Sequence, residues 1–220
     1  MTADLTHIDT WLFDLDNTLY PEESGFMGQV EGRMTDFVAK VTGLPRDEAF
    51  VLQKKYLAEH GLTLRGLMLN HGVDPADFHA LFHDLSLDLL ARDADLLAAL
   101  ERLPGRRLIF TNADDKHAER VLAHLGLDHL FDDVFHIHSF GFTPKPDPLG
   151  FQRMIEAHGM TPTTTAFFED SERNLKPAFD LDMTTVLVGS RAEASTAPFV
   201  TYRTTKLAPF LSGARLKEAA

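Results

Sequence analysis

The sequence predicts an α/β protein, with a mostly parallel sheet flanked by helices and an all-helical module inserted after the first strand. Three observations carry this. Short apolar runs alternate with helical patterns along most of the chain, as βαβ units do. Residues 17–93 break that alternation and read as helix throughout. Polar residues able to do chemistry follow directly on the apolar runs, at the strand ends where open α/β sheets bind ligands.

The first strand is expected at Thr10 to Asp14, where Trp11-Leu12-Phe13 runs into Asp14-Leu15-Asp16. Strand side chains alternate faces, so Asp14 and Asp16 point the same way. Asn17 then signals a turn. Within residues 17–93, Phe26, Val30, Met34, Phe37, Val38 and Val41 recur at helical spacing. Gly43 and Pro45 end that helix. Ala49, Leu52, Tyr56 and Leu57 form a second apolar stripe, Leu64, Leu67 and Met68 a third, and Phe78, Leu81, Phe82 and Leu85 a fourth. Strands resume at Arg107 to Thr111, Thr165 to Phe168, Thr184 to Val188 and Phe199 to Tyr202. Helices are expected at Asp115 to Leu125, Pro148 to His158, Asn174 to Phe179 and Lys206 to Ser212. The expected domains are therefore residues 1–16 with 94–220, and residues 17–93. Lys217-Glu218-Ala219-Ala220 reads as a frayed end.

The chain of 220 residues is 44% hydrophobic and 25% charged, enough for a sizeable core. It carries 21 basic and 33 acidic residues, a formal charge of -12. That balance argues against a nucleic-acid polymer as partner. It does not exclude small anions, because a local cation can reverse the sign of a pocket. The absence of cysteine removes disulfides, thiolate metal sites and cysteine nucleophiles. Met1-Thr2-Ala3-Asp4-Leu5 lacks the basic-then-apolar order of a signal peptide. No apolar run approaches the roughly 18 to 20 residues of a membrane span. The expectation is a soluble cytoplasmic protein with no membrane partner.

Four groups of residues stand at predicted strand ends or the loops beside them. They are Asp14 with Asp16, Thr111-Asn112, Lys145 in Thr143-Pro144-Lys145-Pro146-Asp147-Pro148, and Glu169-Asp170 with Ser171 and Asn174 nearby. A parallel sheet puts such ends on one edge. Asp14, Asp16, Glu169 and Asp170 would then share a crevice with Lys145. Two like charges at about 4 Å repel by roughly 4 kcal/mol at an effective dielectric of about 20. Four ionised carboxylates require cations or proton uptake. An all-oxygen acidic site points to a hard divalent ion, most plausibly Mg²⁺, which commonly also binds a substrate phosphate.

The ordered set Asp14-Leu15-Asp16-Asn17-Thr18, Thr111-Asn112, Lys145-Pro146 and Glu169-Asp170 resembles the four motifs of the haloacid dehalogenase superfamily. The resemblance implies a Rossmann-like core with a helical cap at 17–93 that closes over the site. Asp14-to-Pro21, Thr63-Leu64-Arg65-Gly66-Leu67, Leu103-Pro104-Gly105-Arg106 and Phe167-to-Leu175 further resemble its pyrimidine 5′-nucleotidase branch. The implied activity is Mg²⁺-dependent hydrolysis of a small phosphorylated metabolite, a nucleoside 5′-monophosphate. The implied roles follow. Asp14 attacks phosphorus, and Asp16 protonates the leaving oxygen and then activates water. Asp14, the Asp16 carbonyl, Asp170 and Glu169 hold the metal, Glu169 directly or through water. Thr111, the Asn112 backbone and Lys145 bind the phosphoryl group. Asn174 stands where the family often has a second aspartate; with Ser171 it is expected to orient ligands. Tyr56, Thr63, Leu64 and Arg65 are candidates for substrate contact. Rival readings are a phosphoglycolate or sugar-phosphate phosphatase, a phosphosugar mutase, a haloacid dehalogenase and a non-catalytic binding protein of the same fold.

Taken singly, several features have plainer readings. Thr111-Asn112 is also a natural helix cap. His136 and His138 could share a strand face, but two histidines without an evident third ligand read as surface or edge residues rather than a zinc site. Asp84, Asp88, Asp93 and Asp95 read as a solvated helix face. Phe37, Phe50, Met68 and Phe82 read as core.

Overall fold

The computed structural model describes residues 2–217; the expected frayed end falls mostly outside them. Six strands are described: β1 Thr10–Phe13, β2 Arg106–Phe110, β3 Asp133–Phe135, β4 Thr165–Glu169, β5 Thr184–Val188 and β6 Tyr202–Thr204. The helices are α1 Phe26–Thr42, α2 Arg46–His60, α3 Thr63–His71, α4 Pro75–His79, α5 Ala94–Glu101, α6 Asp115–Leu125, α7 Pro148–His158, α8 Glu172–Asp180 and α9 Leu207–Gly213. The strands form one parallel sheet in the order β3-β2-β1-β4-β5-β6. This is the expected α/β class.

The chain divides into two compact units, residues 1–24 with 90–220 and residues 25–89. In the first unit every residue of β1 and β4 is buried, as strands of an all-parallel sheet with helices on both faces must be. Phe13 stacks on Phe168 with ring centroids 4.7 Å apart. Phe110 meets Phe140 and Phe151 edge-on at 5.4 and 5.0 Å. The Trp11 indole N–H donates to the Pro104 carbonyl at 2.6 Å, which satisfies its polar atom inside the core. Gly105, next along, has a φ of +84°, and a Cβ there would meet the Asp9 carbonyl oxygen at 2.0 Å. Only glycine fits this approach to the start of β2.

The second unit, Gly25–Leu89, is helical. α1 ends at Gly43 in the left-handed conformation with its N–H on the Ala39 carbonyl, the C-terminal glycine stop. Phe26, Val30 and Val38 are buried as expected, but Thr35 is buried with them. Its hydroxyl bonds Gln53 Oε1 at 2.7 Å, a satisfied polar pair between α1 and α2 that apolar periodicity does not reveal. A Cβ on Gly66 would lie 2.3 Å from the Tyr56 ring, so α3 packs on α2 through a missing side chain.

Several elements differ from expectation. β3 and α5 carried no expectation; β3 is three residues long and starts with a charge, which leaves little pattern to read. β6 lies at Tyr202–Thr204 rather than Phe199 to Tyr202. Phe199 precedes the sheet, and its carbonyl accepts from the Thr185 hydroxyl at 2.7 Å. The fourth helical stripe begins as α4 but gives way to turns, whose i+3 bonds include Leu81 to Phe78 and Leu85 to Phe82. Phe78 and Phe82 still meet edge-on at 5.3 Å. Phe50 is not core; it is 39% exposed, with Lys54 Nζ 5.1 Å from its ring centre. Asp84, Asp88, Asp93 and Asp95 are exposed, as expected, but lie mostly off any helix. Asp93 caps α5 by accepting from the backbone N–H groups of Asp95 and Leu96. No helix among the described residues is long and apolar enough to cross a membrane.

Candidate active site

β1 lies between β2 and β4, with Phe13 level with Ile109 and Phe168. Their carboxyl ends therefore deliver Asp14, Thr111 and Glu169-Asp170 to one edge of the sheet, as parallel topology requires. Lys145 reaches this edge from the loop before α7. Lys145 is 1% exposed, and its ammonium donates at 2.7 Å to Asp14 Oδ1, Glu169 Oε2 and the Phe110 carbonyl. All three of its protons are used. The rings of Phe110 and Phe167 flank it at 5.2 and 5.3 Å.

Asn112 explains how that lysine is held. Its side-chain oxygen accepts from the Lys145 backbone N–H at 2.9 Å, and its amide nitrogen donates to the Lys145 carbonyl at 3.2 Å. The side chain grips both sides of one residue in the neighbouring loop. Thr111 is buried, and its hydroxyl accepts from the Ala113 N–H at 3.0 Å. The helix cap that Thr111-Asn112 could have supplied is Asp114, which accepts from the His117 N–H at 2.8 Å.

Asp16 is held differently. Asn17 follows it with a φ of +60°, a conformation that asparagine tolerates better than most residues. β1 has already ended at Phe13, and Asp16 opens the turn that Asn17 continues, so strand alternation is not what places Asp16. The Asp16 Oδ1 atom accepts from the Tyr20 hydroxyl at 2.5 Å and stands 2.9 Å from His117 Nε2. Asn17 Nδ2 lies 3.4 Å from Asp170 Oδ2. The Ser171 backbone N–H donates to Glu169 Oε1 at 3.1 Å, so both Glu169 oxygens are engaged.

Electrostatics separate the two aspartates that follow β1. Burial, reinforced by Glu169, pushes Asp14 up to about 7 despite Lys145. Burial likewise pushes Glu169 up to about 7 and Asp170 up to about 6. Burial also acts to raise Asp16, but His117 and the bonds from His117 and Tyr20 overcome it and hold Asp16 below the usual carboxylate range. Burial opposes the charge on Lys145, yet Asp14 and Glu169 raise its pKa. His117 is raised too, because Asp16 outweighs its burial.

Asp14, Glu169 and Asp170 each offer an oxygen, all within 4.8 Å of one another. This donor set suits a hard divalent cation. The buried side-chain oxygens of Asn17 and Asn174 have no hydrogen-bond partner among the described residues, and a cation's water shell would satisfy such acceptors. The residues present therefore fit a metal of this class.

The remaining expected residues lie in the helical unit. Tyr56, Thr63 and Leu64 are buried inside it. Tyr56 bonds His71 Nε2 at 2.8 Å, and the Thr63 hydroxyl donates to the Gln53 carbonyl at 3.3 Å. Both bonds stay within the helical unit. Arg65 is exposed. Sequence reasoning missed Tyr20 and His117. Tyr20 stood four residues after Asp16 as a weak signal; nothing local marked His117, which only the fold of α6 brings to Asp16.

The pattern of the haloacid dehalogenase-like hydrolases matches residues 8–182. Phosphate metabolism protein 8 of Saccharomyces cerevisiae is 31% identical over 189 residues, 79% of this chain and 59% of the yeast protein. A GMP/IMP nucleotidase of Escherichia coli is 35% identical over 82 residues, 37% of this chain and 36% of that protein. The matched segments thus span less than two thirds of either relative's length. A phosphatase of the same superfamily from Thermococcus onnurineus superimposes with a TM-score of 0.65 at 21% identity, covering 98% of this chain and 100% of that one. At that identity the likeness speaks for the fold.

Proposed function

The chain belongs to the haloacid dehalogenase-like hydrolases, and on that premise we propose that it is a Mg²⁺-dependent phosphomonoesterase acting through an aspartyl-phosphate. The observation that carries this reading is Lys145 seated 2.7 Å from Asp14, with the acidic pair Glu169-Asp170 beside it. Such a site joins a nucleophile to a fixed cation and to oxygen ligands for a second one.

In this reading Asp14 attacks phosphorus while the bond to the leaving oxygen breaks. Asp16 gives that oxygen a proton, then takes one from the water that splits the acyl phosphate. Asp14, Asp170 and the Asp16 carbonyl would hold Mg²⁺, with Glu169 anchoring Lys145 and reaching the ion through water. The ion, when bound, supplies positive charge to Asp14 and the phosphoryl oxygens. The charge states match that need. Without it Asp14 is pushed toward the protonated form and Asp16 is kept ionised, the reverse of what attack demands. A cation beside Asp14 and a phosphate dianion beside Asp16 move the two in opposite directions. Thr111 and the Asn112 backbone would receive the phosphoryl oxygens, Lys145 would attract them by its charge, and Tyr20 and His117 keep Asp16 aimed. Two acids, Asp16 and Asp170, are more than a metal-free dehalogenase requires.

The substrate proposed is a nucleoside 5′-monophosphate, pyrimidine-preferring. The activity for which the Escherichia coli relative is named supports a nucleotide and brings purine monophosphates into the same test. A panel of UMP, CMP, GMP, IMP, phosphoglycolate and sugar phosphates, with and without Mg²⁺, tests this. Turnover of UMP and CMP above the others, dependent on Mg²⁺, is expected. Phosphoglycolate hydrolysed strongly with little action on nucleotides would overturn the substrate. Halide release from a haloacid without Mg²⁺ would overturn the reaction.

A further inference from the structure

The loops that follow β2 and β3 carry a second group of ligand-type side chains, apart from the acidic cluster. β2 and β3 pair in parallel, so the chain leaving β3 runs beside the turn into α6. Two backbone bonds stitch them together, from Thr111 N–H to the Phe135 carbonyl and from Ile137 N–H to the Ala113 carbonyl, both 3.0 Å. Ile137 is fully buried and anchors the segment. His136 and His138 flank that anchor, with ring centroids 5.5 Å apart. The missing third ligand comes from α6: Asp115 is its first residue. One ligand atom from each of Asp115, His136 and His138 lies within 4.8 Å of the other two.

We propose that Asp115, His136 and His138 form a binding site for a single divalent transition-metal ion of the Zn²⁺ class. Two imidazoles and a carboxylate favour such an ion over Mg²⁺, which prefers oxygen alone. Zinc bonds of about 2.0–2.2 Å place tetrahedral ligands roughly 3.4 Å apart. The gap from the observed spacing closes by rotation of side chains that are half-buried or exposed. A second observation points to a ligand. His136 Nδ1 is buried and has no hydrogen-bond partner among the described residues, so one lone pair or proton of that ring goes unused. Burial also holds His136 below its ordinary range, toward the neutral form that binds metals, against the pull of Asp115, Asp114 and Asp133. Those carboxylates give the pocket a cation-attracting field. Three protein ligands leave a fourth position for water. The ion would tie the loop after β3 to the first turn of α6.

The test is calorimetric titration of the full chain with Zn²⁺ in excess Mg²⁺, which occupies the acidic cluster, with Co²⁺ absorption as a second reading of imidazole ligation. One equivalent of Zn²⁺ is expected to bind. His138→Ala and Asp115→Asn, both at the surface, should each weaken it about tenfold or more, and His136→Ala with His138→Ala should abolish it. His129→Ala, an exposed histidine elsewhere, should leave it unchanged. Circular dichroism establishes that each variant folds. The proposal is overturned if no Zn²⁺ binds at micromolar concentration. It is equally overturned if binding survives the double change, or if Asp170→Asn alone removes it, since the ion then sits on the acidic cluster.

Discussion

The two units of this protein place their polar residues in opposite ways. In residues 1–24 with 90–220, the charged groups that matter are buried and bonded several times over. Lys145 has three partners, Asp16 two on one oxygen, and Asn112 two to a single residue. In residues 25–89 the ion pairs sit on the surface: Arg33 with Asp84, Arg46 with Asp36, Lys54 with Glu31. Exposed pairs of this kind contribute about 0–1 kcal/mol. The interior there includes satisfied polar pairs such as Thr35 with Gln53. The contrast teaches that one unit spends its fold on fixing charges, while the other is a packed scaffold whose surface can vary at little cost.

The contrast can be broken most severely at Asp14. Asp14→Asn keeps the shape and removes the nucleophile, so hydrolysis of an aryl phosphate in Mg²⁺ should fall by about 10⁴ or more; undiminished turnover would dismiss the assignment. Lys145→Met should lower kcat by about 10² to 10³. It should also destabilise the protein by about 3 kcal/mol, because two buried carboxylates lose their shared cation. Denaturant unfolding and steady-state kinetics measure both.

The same burial predicts an unusual pH response. Asp14, Glu169 and Asp170 titrate higher in the folded chain than unfolded. Between about pH 4 and 7 the folded state therefore holds more protons, and stability falls as pH rises. Melting of the metal-free protein should drop across that window, and Mg²⁺ should stabilise most at its upper end. A melting temperature that rises through the window without metal would contradict the charge pattern described.

In the helical unit the expected effects are smaller and of another kind. Gly66→Ala forces a methyl group against the Tyr56 ring and should cost about 1–3 kcal/mol of stability. Arg65→Ala, at an exposed position, should leave stability unchanged. If this unit selects the substrate, that change raises KM for nucleotides about tenfold, equivalent to about 1.4 kcal/mol, without altering kcat on a small aryl phosphate.

How far the sequence could be read follows from the same division. Strand-end motifs are legible because parallel pairing carries the residues just after each apolar run, such as Asp14-Leu15-Asp16, to one edge of the sheet. β4 and β5 were legible for the same reason, being continuous apolar runs. Tyr20 and His117 were not, since their meaning depends on where a turn and a helix point them. His136 and His138 pair in the sequence, but Asp115 does not join them there, because no spacing links a helix start to a loop after a three-residue strand. Tyr56, Thr63 and Leu64 are a different case. Short words in a helical region carry no fixed position, and the structure shows these three buried inside their own unit, Tyr56 and Thr63 with partners there.

The place of β1 has a consequence for how the molecule comes to be. Its two partners in the sheet arrive late: Trp11 lies against Arg107 on one side and Ala166 on the other. The chain must close both long loops before the strand gains its bonds, and such closure is slow compared with the local contacts that join α1 to α2. Helix should therefore return early on refolding, and the grip of Lys145 on Asp14 among the last events. A topology that gathers distant strand ends to do chemistry also makes competence the final step of assembly.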